Sequence, residues 1–254
     1  MKKTLIALAV AASAAVSGSA MAWTANGTGG SVDLGGTLTP ADVVTPWEVK
    51  VGAAVNGLDA SIRKGDTKVD IPVKNTISVL GIRTIETKAF VGAPGLSPQI
   101  SYGDAVNIDA FKASVAPLTL EVKDANDAKI GSLTTDMFAQ ARSSLKGGWN
   151  GKFWNYASQS GHAFFGGVPK SKGEVSSDDR VAELMPEAEQ HYVSQGVSDR
   201  GVDYTAVAAS DVTYSAYYFS VIEKGKSIKI TLDQPAGADA IKWKASLPVT
   251  VTYM

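Results

Sequence analysis

Along much of the chain apolar and polar side chains alternate one by one. Trp47-Glu-Val-Lys-Val51, Val69-Asp-Ile-Pro-Val73, Leu118-Thr-Leu-Glu-Val122, Ile228-Lys-Ile-Thr-Leu232 and Leu247-Pro-Val-Thr-Val-Thr-Tyr253 all show period two. Successive side chains of a strand point to opposite faces, so each run predicts a strand with one buried and one wet face. Pro72 and Pro248 cannot donate to a ladder, which places them at edges or bulges. Turn-forming clusters separate the runs: Lys64-Gly-Asp66, Asp124-Ala-Asn-Asp127 and Glu223-Lys-Gly-Lys226. Short strands divided by such turns predict an antiparallel sandwich or barrel.

The stretch from about 135 to 200 departs from this period. Asp136 is placed to cap a helix over Met137–Arg142, and Ser177, Asp178 and Asp179 to open one over Arg180–Met185. Pro186 stops or kinks the second helix, which resumes over Glu187–Tyr192 or ends there. Without a linker, a repeat or a low-complexity tract, this stretch reads as a helix-containing insertion carried between strands of one β domain.

The first residues follow neither pattern. Lys2 and Lys3, the apolar run Leu5–Val16 and the small-x-small site Ala20-Met21-Ala22 have the make-up of a secretory signal peptide, so the mature chain is expected to begin at Trp23. The run is short for a membrane-spanning helix, and no later stretch has the length and apolarity for one. Residues 23–39 are Gly-rich, yet Val32, Leu34, Gly36 and Leu38 fall in one alternating register. Such an extended, one-sided segment is suited either to add to the edge of another chain's sheet or to pair with its own domain as a first strand. At the other end the chain stops inside a strand pattern, one residue after Tyr253.

Composition narrows the chemistry. The chain has 254 residues, 44% hydrophobic and 19% charged, with a formal charge of −1. No basic field is available for nucleic acid. The absence of Cys excludes thiol catalysis and Cys-based zinc sites. Ser61-Ile-Arg-Lys64 and Ser143-Ser-Leu-Lys146 match Ser-x-x-Lys without its companion motifs. His162 and His191 have no ligand spacing and read as solvated histidines, so no enzyme, metal or cofactor is expected. Trp149, Asn150, Trp154 and Tyr156 combine aromatic faces with amide hydrogen-bonders, the chemistry of a shallow sugar site; Trp149 and Phe153, four apart, equally suit a packing role.

These features come together in a family resemblance. Trp23, the segment Gly30-Ser-Val-Asp-Leu-Gly-Gly-Thr-Leu-Thr39, Trp47-Glu-Val-Lys-Val-Gly52, Phe164-Phe-Gly-Gly167 and the closing Val249-Thr-Val-Thr-Tyr253 resemble the chaperone–usher fimbrial subunits of the Fae type, from enterobacterial adhesive fibres. The chain is more similar to a minor subunit of that group than to its longer major one, and like the group it lacks the Cys pair of better-known pilins. The resemblance implies an all-β, incomplete immunoglobulin-like sandwich that lacks its final strand, over residues 40–254. It implies a periplasmic chaperone that lends a strand to the open groove and grips the terminal carboxylate. At an outer-membrane usher the N-terminal extension of a neighbouring subunit then replaces that strand, and the product is a cell-surface fimbrium. Carried over by position, Val32, Leu34, Gly36 and Leu38 would be the donor strand, and Leu247, Val249, Val251 and Tyr253 the strand that lines the groove and meets the chaperone. A carbohydrate-binding adhesin with a host-glycan site in the aromatic insertion is the alternative on the same scaffold.

Overall fold

The computed structural model describes residues 34–37 and 44–254. The chain divides into two units, Met1–Val43 and Val44–Met254. In the first, Leu34–Thr37 has neither helix nor strand. Val32 and Leu38 lie outside the described residues, as does the signal-peptide stretch.

The second unit is built of strands. They are β1 (Trp47–Val51), β2 (Lys68–Pro72), β3 (Ile77–Thr84), β4 (Phe90–Val91), β5 (Pro98–Ser101), β6 (Val115–Lys123), β7 (Lys129–Lys146), β8 (Gly151–Asn155), β9 (Asp199–Asp203), β10 (Thr213–Ile222), β11 (Ser227–Leu232) and β12 (Thr250–Tyr253). Each alternating run found in the sequence lies wholly or partly in a strand, and the three turn clusters separate strands. Pro72 closes β2, which lies at the end of the strand order as an edge should. The last run is regular only from Thr250; Leu247 to Val249 form an extended lead-in.

β7 organises the sandwich. Its first half pairs with β6 and β11, and its second half with β8 and β10. β10 and β11 follow one another along the same side of β7, interrupted by the turn at Glu223–Lys226. β3 and β2 flank them in the same way. Strands that pass from one sheet into the next form the corners of a sandwich. The ten strands bonded to one another form one continuous sheet that folds into two layers. One layer holds β2, β11, β6 and the first half of β7; the other holds β1, β3, β4, β10, β8, β9 and the second half of β7, while β5 and β12 form a separate two-stranded sheet. All pairings are antiparallel except β8 with β9. Between the layers lies the main core, with Leu80, Ile82, Leu118, Met137, Phe153, Phe164 and Tyr218 fully buried.

The helix expected over Met137–Arg142 is not formed: these residues belong to β7. Up to Asp136 the strand alternates between buried and open positions, but from Met137 to Leu145 both faces are covered. Met137, Ala139 and Ala141 face the main core. Phe138 faces a second core, formed with Trp154, Tyr217, Phe219, Val221, Val181, Leu184, Met185 and Ala188. A strand covered on both faces loses the period that marks it in sequence. The inserted stretch therefore begins inside a central strand, and its irregular part runs from 156 to 198. The helix expected over Arg180–Met185 is a single turn, α1 (Val181–Leu184), which Pro186 ends by opening a 3-10 turn, Pro186–Glu189.

Polar groups on the outer side of β7 are buried under this cover and bonded to it. Gln140 Nε2 donates to the carbonyls of Ser176 (3.0 Å) and Asp178 (2.9 Å). The Ser144 hydroxyl donates to the Val193 carbonyl at 2.6 Å. Arg142 lies 4.3 Å from the Trp154 ring centre and pairs with Asp179 and Asp199.

In the main core the Tyr102 hydroxyl sits 2.7 Å from that of Tyr218 and 2.8 Å from the Ser220 hydroxyl. Burial disfavours the charged phenolate, pushing Tyr102 up to about 12 and Tyr218 well above its ordinary value. A group whose folded pKa is raised keeps its full contribution below the unfolded value of about 10 and loses it above. Stability is thus expected to hold to about pH 9 and to fall steeply between about 10 and 12. In an alkaline titration the tyrosinate band of these residues should rise together with loss of the β-sheet dichroism. Full ionisation near pH 10 with the dichroism intact would contradict it.

Candidate functional site

Among the described residues, two strands border the main core without a neighbour on their far side. There β1 pairs only with β3, from Trp47 opposite Thr84 to Val51 opposite Leu80. Its inward face carries Trp47, Val49 and Val51, since alternate residues share a face. Trp47 is buried and its indole N–H donates to the Leu96 carbonyl at 2.7 Å. Val49 and Val51 are 40% and 58% exposed, although they lie on the core side of the strand.

The C-terminal strand shows the same incompleteness. Trp243, Ala245, Leu247, Val249, Val251 and Tyr253 are half-buried and pack on the main core, while each residue between them is exposed. All its backbone pairings use one edge. Lys244 exchanges both bonds with Lys123, β12 pairs with β5 from Thr250–Ser101 to Tyr253–Pro98, and Met254 exchanges bonds with Ser97 at 2.9 and 3.0 Å. In an antiparallel ladder the residues between bonded pairs turn their N–H and C=O to the opposite edge. No described residue meets Val249, Val251 or Tyr253 there.

The two open edges share a corner. Leu96 holds the first residue of β1 and Ser97 the last residue of the chain. From this corner β1 runs outward to a cleft of about 440 Å³, lined by Gly52–Asp59 and by the Ile71–Ser78 connection between β2 and β3. Unpaired backbone groups above half-covered core side chains are what an incoming strand requires: main-chain bonds supply affinity and alternate side chains fill the gaps.

The groove residues expected from the sequence thus lie together, Leu247 and Val249 in the lead-in and Val251 and Tyr253 in β12. Of the residues expected to form a donor strand, Leu34 and Gly36 are described, and Leu34 is 94% exposed. The sequence alone does not single out β1: the alternation of Trp47, Val49 and Val51 marks a strand, but nothing in it signals that no described residue pairs with its far side. Trp243 and Ala245 extend the terminal alternation upstream of Leu247, a signal already present in the sequence.

The aromatic cluster does not form one surface. Trp154 is 3% exposed and packs under Arg142 in the second core, on the opposite face of β8 from Phe153. Trp149 is 44% exposed at the turn before β8, and Tyr156 follows the strand's other end, on the order of 17 Å away along the chain. The Asn150 amide oxygen accepts from the Gly147 N–H, and Tyr156 meets Tyr204 edge to face. A sugar site made by these four residues gains no support from this arrangement. Neither histidine is simply solvated. His162 is buried, stacked on Tyr204 at 4.2 Å, and desolvation lowers its pKa. His191 Nδ1 lies 2.6 Å from the Thr84 carbonyl oxygen.

Comparison with known proteins gives a consistent result. Residues 1–254 match the family described as fimbrial, major and minor subunit. The K88 fimbrial protein AB of Escherichia coli is 32% identical over the whole of both chains, and K88 fimbrial protein AD of the same organism 30% over the whole of both. The F41 fimbrial protein of Escherichia coli is 34% identical over 54% of this chain and 52% of its own.

The paired edge of the C-terminal strand depends on one glycine. β5 lies between β12 and the turn Phe164–Gly167: the Phe164 N–H donates to the Pro98 carbonyl at 2.7 Å and the Ile100 N–H to the Phe165 carbonyl at 2.8 Å. Gly166 allows this approach with φ +85°, and a Cβ there would lie 2.0 Å from the Ile100 carbonyl oxygen. Gly95 has a similar φ of +88° with open space around it. Left-handed backbone costs a non-glycine residue about 1–3 kcal/mol, so Gly166→Ala and Gly95→Ala share that loss. Gly166→Ala should lower the melting temperature further, because it also collides. Equal melting temperatures for the two variants would show that the turn does not bear on β5.

Proposed function

The chain belongs to the K88 fimbrial family of major and minor subunits, and from that premise we propose that it is a minor subunit polymerised by strand exchange. Fimbrial subunits are structural proteins exported to the cell-surface fimbria rather than enzymes, and they associate with other fimbrial subunits. The occupant of the open edge is the N-terminal extension of a second subunit, with Val32, Leu34 and Leu38 filling the gaps between the half-buried side chains and Gly36 allowing close backbone approach. Before that exchange a periplasmic chaperone strand covers the same edge, and an outer-membrane usher is where one strand replaces the other. The minor-subunit reading is supported by length: alignments of 293 and 287 residues cover both this chain of 254 and its K88 relatives completely, so those relatives carry segments that it lacks.

The observation that carries the strand-exchange reading is the row Trp243 to Tyr253, regularly half-buried beside an edge that no described residue pairs with. Burying three Val or Leu side chains contributes about 1.5–3 kcal/mol each, hence roughly 5–9 kcal/mol. Typical domain stability is about 5–15 kcal/mol, so a strand of this kind supplies a large share of it.

The test uses the exported chain with Val32→Asp and Leu34→Asp, which keeps the acceptor edge but has a disabled donor. Its thermal melting is followed with and without a synthetic peptide of Gly27–Thr39. A stabilisation of several kcal/mol, seen as a rise of roughly 10 °C or more, is expected for a domain of this size. Melting indifferent to the peptide would remove the reading. In cells, Val32→Asp alone should be recovered with the chaperone and be depleted from fibres; normal fibre content would refute the donor assignment.

A further inference from the structure

One continuous segment, 156–192, touches β1 directly and the C-terminal strand by way of β5. Its far part grips β1 from outside. Arg83, opposite Glu48 in the β1–β3 register, donates from Nε to Glu48 Oε1 at 2.6 Å. From Nη1 it reaches the Glu187 carbonyl at 2.6 Å and Gln190 Oε1 at 3.0 Å. Lys50, two residues along β1, donates to Glu187 Oε1 at 2.9 Å. The hydrogen-bonded Lys50 ammonium holds the Glu187 carboxyl below its ordinary pKa, with Arg83 adding to the effect. His191 Nδ1 lies 2.6 Å from the carbonyl oxygen of Thr84, the last residue of β3.

The near part of the segment grips β5, and through it the C-terminal strand. Gln99 is buried in β5; its Nε2 donates to the carbonyls of Ser97, Pro98 and His162 at 3.2, 3.0 and 3.0 Å. Its Oε1 accepts from the Gly161 N–H at 3.0 Å. Between these two grips the segment is anchored to β7 by Gln140, and the Arg180 guanidinium pairs with Glu223 at 2.7 Å.

We propose that segment 156–192 is a brace that holds β1 and the C-terminal strand at a set spacing, so that the acceptor edge is formed before a donor strand arrives, with Arg83 and Gln99 as its positioning residues. This inference rests on the strand-exchange reading. An edge strand with exposed core-side valines has little of its own to keep it in place. Isolated surface ion pairs contribute little, but Arg83 is largely covered and its one guanidinium joins β1, β3 and the brace. A donor meeting a preformed edge does not have to order it, and binding is weakened by whatever fraction of acceptors is unformed.

The test again uses the exported chain with Val32→Asp and Leu34→Asp, to which Arg83→Met or Gln190→Leu is added. Association of a fluorescent Gly27–Thr39 peptide is timed, and amide exchange is read for β1 and β10. With Arg83→Met the association rate should fall about tenfold, the effect of leaving one acceptor in ten preformed. Exchange should quicken in β1 and stay unchanged in β10. Gln190→Leu keeps the Arg83–Glu48 contact and should give a smaller change in the same direction, and it serves as the test if Arg83→Met does not fold. Lys88→Met, which removes only the exposed pair with Glu86, is the control. Equal rates and equal β1 exchange in every variant would overturn the brace alone. A peptide that fails to bind even the chain with Arg83 intact would overturn the strand-exchange reading, and the brace with it.

Discussion

The fold depends on a single strand buried from both sides. β7 is hydrogen-bonded along both edges to four strands, β6, β8, β10 and β11, and its inner face meets the main core. Its second half also turns Phe138, Gln140 and Arg142 outward, beside Tyr217 and Phe219 of β10. A sheet face with that much aromatic surface and an amide has to be covered by groups that bond the amide. The inserted stretch meets both needs: Val181, Leu184, Met185 and Ala188 cover the aromatics, and the Ser176 and Asp178 carbonyls receive Gln140. The insertion is therefore a structural layer of the domain.

This burial decides what was legible in the sequence. β1, β2, β6 and β11 alternate because one face is wet, and each stood out by its period. From Met137 to Leu145 both faces are covered, and Met-Phe-Ala-Gln-Ala-Arg reads as readily as a helix as a strand. β10 was silent for the same reason, with every residue after Thr213 buried. The stop at Pro186 was visible because it depends on local backbone chemistry. The expected cap from Ser177, Asp178 and Asp179 is not made: Arg180 precedes the single turn and no side chain bonds its first N–H groups. Trp154 shows the limit in the other direction: composition placed it beside Trp149 as a candidate sugar platform, whereas strand geometry sends it to the opposite face from Phe153.

At the C-terminal edge, sequence shows the pattern but not the pairing. Trp243 to Tyr253 alternates as any half-buried strand would, and only the structure shows that the described residues bond it along one side. Val49 and Val51 likewise read as ordinary core residues until their exposure is seen. The Arg83 contacts were beyond sequence reasoning altogether, since Glu187 and Gln190 lie more than a hundred positions away.

On the strand-exchange reading, these features answer one physical problem. A domain that leaves a core edge open exposes both apolar surface and unpaired backbone, the combination that favours aggregation. Closing the edge within the chain would remove that hazard and also remove the means of linking subunits. Lending the closing strand to a neighbour keeps the link, and makes each subunit's stability a property of the fibre. The cost falls on the free subunit, whose edge strands lack support on one side. A layer already required to cover β7 is well placed to supply it, because four neighbouring strands fix the position of β7. The same insertion can thus serve the fold's need for a buried outer face and the assembly's need for a rigid open one.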